Sequence, residues 1–310
     1  RFKKLPATGW TILVQGLNLH SLEADALLKQ FAFIPYARLD DVMVSYAVDG
    51  GGVGPHFDSY DVFLLQGMGQ RRWSISAQSD LSLLPDLPLK ILQNFHAEQS
   101  WVLNAGDMLY LPPQYAHDGI AEGECITYSI GFRAPDNQEW GQGFLNYWHD
   151  KAVLNGSYKD AGLKATQTPA LIPDNVNQHV YTSLQQMLWS KSDVARFVGC
   201  YLTEPKATVF FDAPERPMSL KRFVAQIRMH GLRLDSKSQF LYDQKCFYLN
   251  MPSNSSNILR FGSICWIKND QNVECYHQIH SPIEYLPFLL MLSQSVNHPN
   301  FVNSCPINLG

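Results

Sequence analysis

The first 135 residues break into short apolar segments separated by clusters of glycine, proline, asparagine and aspartate. Segments of this kind are typical of β-strands, and closely spaced turns between them are typical of a barrel or a sandwich. The predicted strands are 42–48, 57–65, 71–75, 100–103, 108–111 and 125–132. The pattern therefore predicts a β domain over residues 1–135.

The apolar spacing changes after Asn137 to the period of a helix. Aromatic residues three or four apart follow it, and a second helical repeat follows Asp174, a candidate N-cap. The last part reads as a helix (219–230), two strands (232–241 and 245–251) and a helix (281–296), an order that suits a small winged-helix-like domain. We predict an α+β chain with a helical region over 136–203 and a winged-helix-like domain over 204–310.

Composition excludes several classes of protein. The 24 Lys and Arg residues against 28 Asp and Glu residues give a net charge of −4, so we expect no direct contact with nucleic acid. No apolar run approaches the ~20 residues that span a bilayer and no signal-like segment opens the chain, so we expect no membrane contact and a cytoplasmic location. Since no methionine stands at Arg1, we expect a segment to precede it. Six cysteines without a Cys-x-x-Cys pair are interpreted as buried thiols.

The sharpest local motif is the run GGGVGPHFD at residues 50–58. In a strand, His56 and Asp58 share a face and can offer a nitrogen and an oxygen to one metal ion. The glycines are not a phosphate-binding loop, because no Gly-Lys-Ser/Thr follows them. Taken alone, the motif is weak and favours an ordinary half-buried strand pair over a metal site.

A second segment, 106–117, can supply the third metal ligand. It contains a turn, a short apolar strand, a proline-stiffened corner and then His117. Two histidines and one carboxylate form a facial triad that leaves three positions of an octahedral iron(II) open, which predicts oxygenase chemistry. Zinc hydrolases also use two histidines and a carboxylate, so the ligand types leave the metal open.

Two arginines can bind the carboxylate of a co-substrate. Arg71 and Arg72 follow the metal motif, and arginine holds a carboxylate in a bidentate geometry that lysine cannot match. Consecutive strand residues face opposite sides, so only one of the two can lie inside the barrel.

At these motifs the sequence resembles the cupin-fold Jumonji-type oxygenases, and within them the bacterial ribosomal oxygenases that hydroxylate an arginine of a large-subunit ribosomal protein. The resemblance is carried by residues 40–45, 50–66 (GGGVGPHFDSYDVFLLQ), 69–73, 106–117 and 128–135. It implies a double-stranded β-helix barrel, a helical dimerisation region over 136–203, a homodimer, and dependence on iron(II), 2-oxoglutarate and dioxygen.

The resemblance also assigns roles to individual residues. His56, Asp58 and His117 are expected to bind iron(II), and Arg71 is expected to bind 2-oxoglutarate. The substrate is expected to be an arginine side chain of a ribosomal protein, hydroxylated at the β carbon. Its pocket is expected to contain Asp41, Met43, Tyr60 and Ser129.

Some residues depart from the family pattern. Gln114 stands where a glycine is usual, Ala47 stands where a small hydroxyl residue is expected near the co-substrate, and no glutamate follows the His-x-Asp motif. Two other classes stay open at this point. One is a metal-dependent cupin such as an isomerase or an oxoglutarate-independent dioxygenase, and the other is a non-catalytic metal-sensing regulator. The last domain has few Lys or Arg residues in 232–251, which favours docking to protein over reading DNA.

Overall fold

The computed structural model describes residues 5–160, 162, 164–210, 219–230, 234–244, 246–250, 264–268 and 272–276. The chain divides into two compact units between Asp136 and Asn137. The first unit contains a 3₁₀ turn at Leu17–Leu19, one α-helix and six strands: β1 (Thr11–Val14), α1 (Leu22–Lys29), β2 (Leu39–Ala47), β3 (Val62–Ser76), β4 (Gln99–Leu103), β5 (Met108–Leu111) and β6 (Ala116–Phe132).

The six strands form one antiparallel sheet in the order β1-β2-β6-β3-β4, with β5 paired to β3. The two long strands, β3 and β6, pair along almost their whole lengths, and the register shifts between Gln66 and Gln70. Bulges of this kind bend a strand and raise its twist. The bend lets one pair of strands run through both walls of a barrel.

The observed strands correct two predictions. The predicted strands 57–65 and 71–75 are parts of one strand, β3, because the bulges bend it without breaking the pairing. The strand also begins at Val62 rather than at residue 57. Between His56 and Val62 the backbone bonds to the proline corner instead, where the Gln114 amide donates to the Asp58 carbonyl at 2.7 Å.

The two faces of the sheet bury different side chains. The outer face packs against the segment after α1, in a cluster formed by Phe31, Leu39, Val42, Ile130 and Phe132. The inner face carries a second apolar cluster of Val62, Leu64, Trp73, Ile75 and Leu111. It also carries buried polar side chains, among them Ser45, Gln66, Arg71, His117, Thr127 and Ser129. A barrel interior this polar is expected at a ligand site rather than in a purely structural core.

The second unit contains four described helices and two short hairpins: α2 (Asn137–His149), α3 (Asp174–Leu184), α4 (Lys191–Thr203), α5 (Leu220–His230), β7 (Phe240–Tyr242) with β8 (Phe247–Leu249), and β9 (Ile264–Lys268) with β10 (Asn272–Tyr276). Its core joins α2, α4 and β8 through Tyr147, Phe197, Cys200 and Tyr248. Ser190 begins α4 with a reciprocal hydrogen bond to Asp193.

Several predictions for this unit change or lie outside what is described. The predicted strand 232–241 is wrong over residues 234–239, where the structure has turns and irregular backbone, and strand pairing is confined to Phe240–Tyr242. Within the predicted strand 245–251, the described residues 246–250 form a strand only at Phe247–Leu249. The predicted helix 281–296 lies outside the described residues. Of the helices that the structure describes, none is long and apolar enough to cross a membrane.

Candidate metal and co-substrate site

Three side chains that are far apart in sequence converge at the mouth of the barrel. His56, Asp58 and His117 each offer one ligand atom, and these atoms lie within 4.8 Å of one another. The His117 Nε2 atom is 3.8 Å from Asp58 Oδ2, and the two imidazole centroids are 4.2 Å apart. The group contains no fourth His, Cys, Asp or Glu among the residues that the structure describes.

Backbone carbonyls fix the orientation of both imidazoles. The Nδ1 atom of His56 lies 2.8 Å from the Gly54 carbonyl, and the Nδ1 atom of His117 lies 2.9 Å from the Tyr115 carbonyl. If Nδ1 donates in both rings, each Nε2 keeps its lone pair for a metal, the arrangement common in metal-ligating histidines. Gly54 has a φ of 94°, a left-handed conformation that favours glycine, and this turns its carbonyl toward the ring.

Electrostatics keep His117 in the form that binds metal. Burial and the neighbouring His56 lower the pKa of His117 to about 4. At neutral pH its imidazole is therefore uncharged and able to donate a lone pair to a metal ion.

Gln114 explains how the chain reaches the third ligand without the usual glycine. Its φ is 64°, so this position does adopt the left-handed backbone that a glycine would take easily. The hydrogen bond from its amide to Asp58 ties the proline corner to the second ligand. A non-glycine residue in this conformation costs about 1–2 kcal/mol, which the surrounding contacts must offset.

Arg71 is a buried cation on the inner face of β3. Its side chain is 2% exposed, its Nη2 donates to the Ser45 hydroxyl at 3.0 Å, and its Nε atom is buried with no hydrogen-bond partner. No carboxylate lies within ion-pair distance of it among the described residues. Because a buried charge without a partner is costly, this guanidinium fits an anionic ligand such as the far carboxylate of 2-oxoglutarate.

The side chain of Arg72 points to the outer face of β3, away from the barrel interior. Its side chain is 50% exposed and pairs with Glu122, with Nη2 and Oε1 separated by 2.5 Å. The structure therefore separates the two neighbouring arginines. The inner one is in ion-pair contact with no described carboxylate, although Asp118 acts on it from a greater distance, and the outer one is already paired.

Ser45 is a residue that sequence reasoning missed. We expected a small hydroxyl residue near the co-substrate at position 47, which is alanine, but the structure places the hydroxyl two residues earlier on the same face of β2, bonded to Arg71. The contact crosses from β2 to β3 over β6, and no local pattern in the sequence encodes that distance. The only available signal was that Ser45 and Ala47 share a strand face.

The four residues predicted to bind substrate lie near one another on the inner face. A Cβ added to Gly131 would lie 3.8 Å from an Asp41 carboxylate oxygen and 4.0 Å from the Tyr60 ring, so these two side chains meet above that glycine. Met43 and Ser129 are directly opposite each other in the pairing of β2 with β6. Burial, the charge of Asp58 and a hydrogen bond with Asp58 raise the pKa of Tyr60. The hydroxyl of Tyr60 therefore lies beside a candidate metal ligand.

The donor set fits a metal ion with open coordination positions. Two imidazole nitrogens and one carboxylate oxygen suit iron(II), and the buried guanidinium of Arg71 suits the anionic end of a bidentate co-substrate. His56, Asp58 and His117 could therefore hold the metal, and Arg71 with Ser45 could hold 2-oxoglutarate.

Comparison with known families gives two matches. Residues 26–140 match the JmjC domain, and residues 186–255 match the ROXA-like winged helix. The second match begins inside the region 136–203, for which we predicted a dimerisation role, and the predicted domain boundaries stay predictions.

Individual relatives are ribosomal oxygenases. The chain is 31% identical over 241 residues to the ribosomal protein uL16 3-hydroxylase of Escherichia coli strain K12, covering 75% of this chain and 65% of that protein. It is 38% identical over 191 residues to a probable ribosomal oxygenase of Haemophilus influenzae, covering 60% and 47%. The chain thus spans less than two thirds of either relative.

Solved structures of similar proteins include the E. coli ribosomal oxygenase YcfD in complex with cobalt and 2-oxoglutarate. That match has a TM-score of 0.65 and 28% identity, and covers 81% of this chain and 67% of that one. Another structure of the same E. coli protein is 30% identical with a TM-score of 0.64, covering 80% and 67%. These matches confirm the predicted cupin/Jumonji barrel and winged-helix-like domain, and they do not test the dimerisation region.

Proposed function

Because this chain belongs to the JmjC-domain ribosomal oxygenases, we propose that it is an iron(II)- and 2-oxoglutarate-dependent dioxygenase that hydroxylates a protein. We further propose that the target is an arginine side chain of a large-subunit ribosomal protein, modified at the β carbon. The name of the E. coli relative specifies uL16 and position 3, which in arginine is the β carbon.

One observation carries the proposal. The inner face of a single barrel holds a two-histidine, one-carboxylate group and a buried guanidinium whose Nε atom has no hydrogen-bond partner and which contacts no described carboxylate. An isomerase or an oxoglutarate-independent dioxygenase would leave the charge of Arg71 unmatched, whereas 2-oxoglutarate has one end for the metal and one for Arg71.

Different residues would bind the metal and the co-substrate. When bound, iron(II) with 2-oxoglutarate and dioxygen supplies the oxidation that inserts oxygen into a C–H bond and yields succinate and carbon dioxide. His56, Asp58 and His117 would hold the metal and leave its remaining coordination positions to other ligands. Arg71 and Ser45 fix the far carboxylate, so the co-substrate has a single orientation in the barrel.

The arginine pocket is assigned to the residues above Gly131. Asp41 would accept hydrogen bonds from the guanidinium, and Tyr60 and Met43 would form an aromatic and a thioether wall. Ser129, buried on β6, would line the same wall of the pocket beside Met43. Holding the guanidinium directs the methylene groups of the side chain toward the metal.

A ribosomal protein as substrate agrees with the expected location of this protein and with the expected role of its last domain. Ribosomal proteins are available in the cytoplasm, where we place this protein. The winged-helix domain would then dock protein, and the expectation that it binds no nucleic acid stays a prediction.

We also propose that the protein is a homodimer joined through α3. None of the residues of that helix is buried; Val180 and Leu184 are exposed four residues apart on it, and Leu188, in the irregular segment that follows, is 80% exposed. A repeated apolar stripe of this kind suits contact with a second copy.

Mass spectrometry tests the proposed activity. Purified protein with iron(II) and 2-oxoglutarate is incubated with ribosomal-protein peptides that contain arginine, and we expect an added mass of one oxygen located at the arginine β carbon. Omitting either iron(II) or 2-oxoglutarate should abolish the product. Absence of any oxidised arginine with both present, while 2-oxoglutarate is consumed, would contradict the substrate assignment.

Asp41→Ala tests the pocket separately from the metal. We expect peptide hydroxylation to be lost while slow, uncoupled consumption of 2-oxoglutarate continues, because the metal ligands and Arg71 are unchanged. Asp40→Ala is the matched control, since Asp40 pairs with Arg133. Equal losses in both variants would argue against a specific role for Asp41.

A further inference from the structure

A pocket of about 400 Å³ opens on the outer face of the barrel. Its lining consists of Ile34, Arg38, Asp61, Phe63, Tyr110 and Phe132. None of these residues belongs to the metal group or to the proposed arginine pocket. We propose that this outer pocket binds a large apolar side chain, preferably aromatic, of the same polypeptide whose arginine enters the barrel. The inference rests on the proposed function, since it assigns a second contact for that substrate.

The polar groups of the outer pocket are already satisfied by one another. Arg38 Nη2 donates to Asp61 Oδ2 at 2.8 Å, and the Tyr110 hydroxyl donates to Asp61 Oδ1 at 2.7 Å. Arg38 Nε also donates to the Arg133 carbonyl at 2.8 Å. Because each carboxylate oxygen of Asp61 has a partner and its charge is balanced, the pocket does not favour a second basic side chain.

The remaining lining is aromatic and aliphatic. The ring of Phe63 lies 5.0 Å from that of Tyr110 and 5.7 Å from that of Phe132, measured between centroids. Phe33, 72% exposed, stands beside Phe63 in an edge-on arrangement. Such rings gain from contact with another apolar or aromatic group, which removes their faces from water.

The position of the outer pocket argues for the same substrate chain. Asp61 directly follows Tyr60, and Phe132 directly follows Gly131. Gly131 and Phe132 are successive residues of β6 and face opposite sides of the sheet, so the outer pocket lies behind the site where Asp41 and Tyr60 meet. Three peptide units separate Asp58 from Asp61, so their Cα atoms are at most about 11 Å apart.

A polypeptide crossing the rim of the barrel can therefore reach both sites. With its arginine inside, an extended chain advancing about 3.3 Å per residue places a residue about two to four positions away over the outer pocket. The two contacts together would select a sequence around the arginine, which a pocket for a single side chain cannot do.

Peptide binding tests the inference without requiring turnover. Peptides of glycine and serine with one central arginine carry a single phenylalanine two, three or four positions away on either side, or none. Their affinities for the protein loaded with cobalt(II) and 2-oxoglutarate are measured by fluorescence anisotropy. We expect phenylalanine at one spacing to tighten binding by at least about 10-fold.

Two variants test whether the tighter binding caused by phenylalanine arises at the outer pocket. Ile34→Trp fills the outer pocket and should abolish the gain, whereas Leu13→Trp adds a similar bulk to the exposed strand β1 and should leave it unchanged. If Ile34→Trp lowers the melting temperature more than the control does, Ile34→Phe replaces it. A gain at no spacing, or a gain that survives filling of the pocket, overturns the inference.

The same peptides separate this inference from the proposed function. With iron(II) in place of cobalt(II), the tightly bound peptide is examined for added oxygen. Tighter binding without hydroxylation would leave the outer pocket established and remove the proposed activity. Hydroxylation that does not depend on the phenylalanine would support the proposed activity and contradict the role of the outer pocket.

Discussion

The barrel interior and the surface of α3 both carry groups that this chain does not satisfy, but the groups are of opposite kinds. Inside the barrel, Arg71 Nε and Trp73 Nε1 are buried polar atoms without hydrogen-bond partners. Along α3 the unsatisfied groups are apolar side chains in water, with Leu188 80% exposed after the helix ends.

The difference indicates what each region binds. A buried donor without a partner costs about 1–3 kcal/mol, and more when charged, so the interior calls for a small polar or anionic ligand. An exposed apolar stripe gains about 25 cal/mol for each Å² removed from water, so it calls for a broad apolar partner. Variants of the two regions should therefore fail in different assays.

The largest effect is expected at the metal group. His117→Ala removes a proposed ligand whose imidazole is held neutral and oriented, so hydroxylation should fall by at least about 1,000-fold. Cobalt(II) titration followed by absorption should show weaker metal binding, while the oligomeric state stays unchanged. His149→Ala, which changes an exposed histidine of the second unit, is the control. Normal turnover by His117→Ala would falsify the ligand assignment.

The next effect separates the two adjacent arginines. Arg71→Ala should raise the 2-oxoglutarate concentration needed for half-maximal turnover by about 100-fold, because it removes the proposed charge-assisted contact with the far carboxylate. Metal affinity should change little, since Arg71 does not belong to the metal group. Arg72→Ala, which breaks an exposed pair with Glu122, should have little effect on either quantity. Equal shifts in the two variants would contradict the assignment.

On the apolar side of the comparison, Leu188→Glu should weaken the proposed dimer by at least about 10-fold. A carboxylate would have to be buried where a leucine side chain was covered, which adds a desolvation cost to the lost apolar contact. Sedimentation equilibrium gives the dissociation constant. Gln178→Glu adds the same charge to a different face of α3 and should leave association unchanged. A wild-type protein that stays monomeric would contradict the proposed homodimer.

The local motifs of the site could be predicted from the sequence, whereas features that depend on long-range strand pairing could not. His56 and Asp58 could be selected because their spacing is local, and the turn and proline corner before His117 could be recognised as a return to the barrel mouth. The bend of β3 could not be predicted, because bulges between Gln66 and Gln70 depend on its pairing with β6. The irregular backbone at residues 57–61 likewise depends on a partner, Gln114, that lies more than fifty residues away.

Ser45 gives the smallest and most discriminating effect, because only the tertiary structure identifies it. Ser45→Ala removes the one hydrogen bond that the protein makes to Arg71 among the described contacts, leaving the guanidinium in place but less firmly oriented. A hydrogen bond to a charged group is worth about 1.5–3 kcal/mol. The guanidinium stays in place and loses only its orientation, so only part of that free energy affects co-substrate binding, and the 2-oxoglutarate requirement should rise by about 3- to 10-fold with little change in the maximal rate. Ser74→Ala, on the outer face of the same barrel and bonded to Ser100, is the matched control. If Ser45→Ala matches the control, Arg71 is oriented by the co-substrate alone. A shift as large as that of Arg71→Ala would instead mean that the hydroxyl also contacts the co-substrate, since losing one orienting bond to arginine cannot account for it.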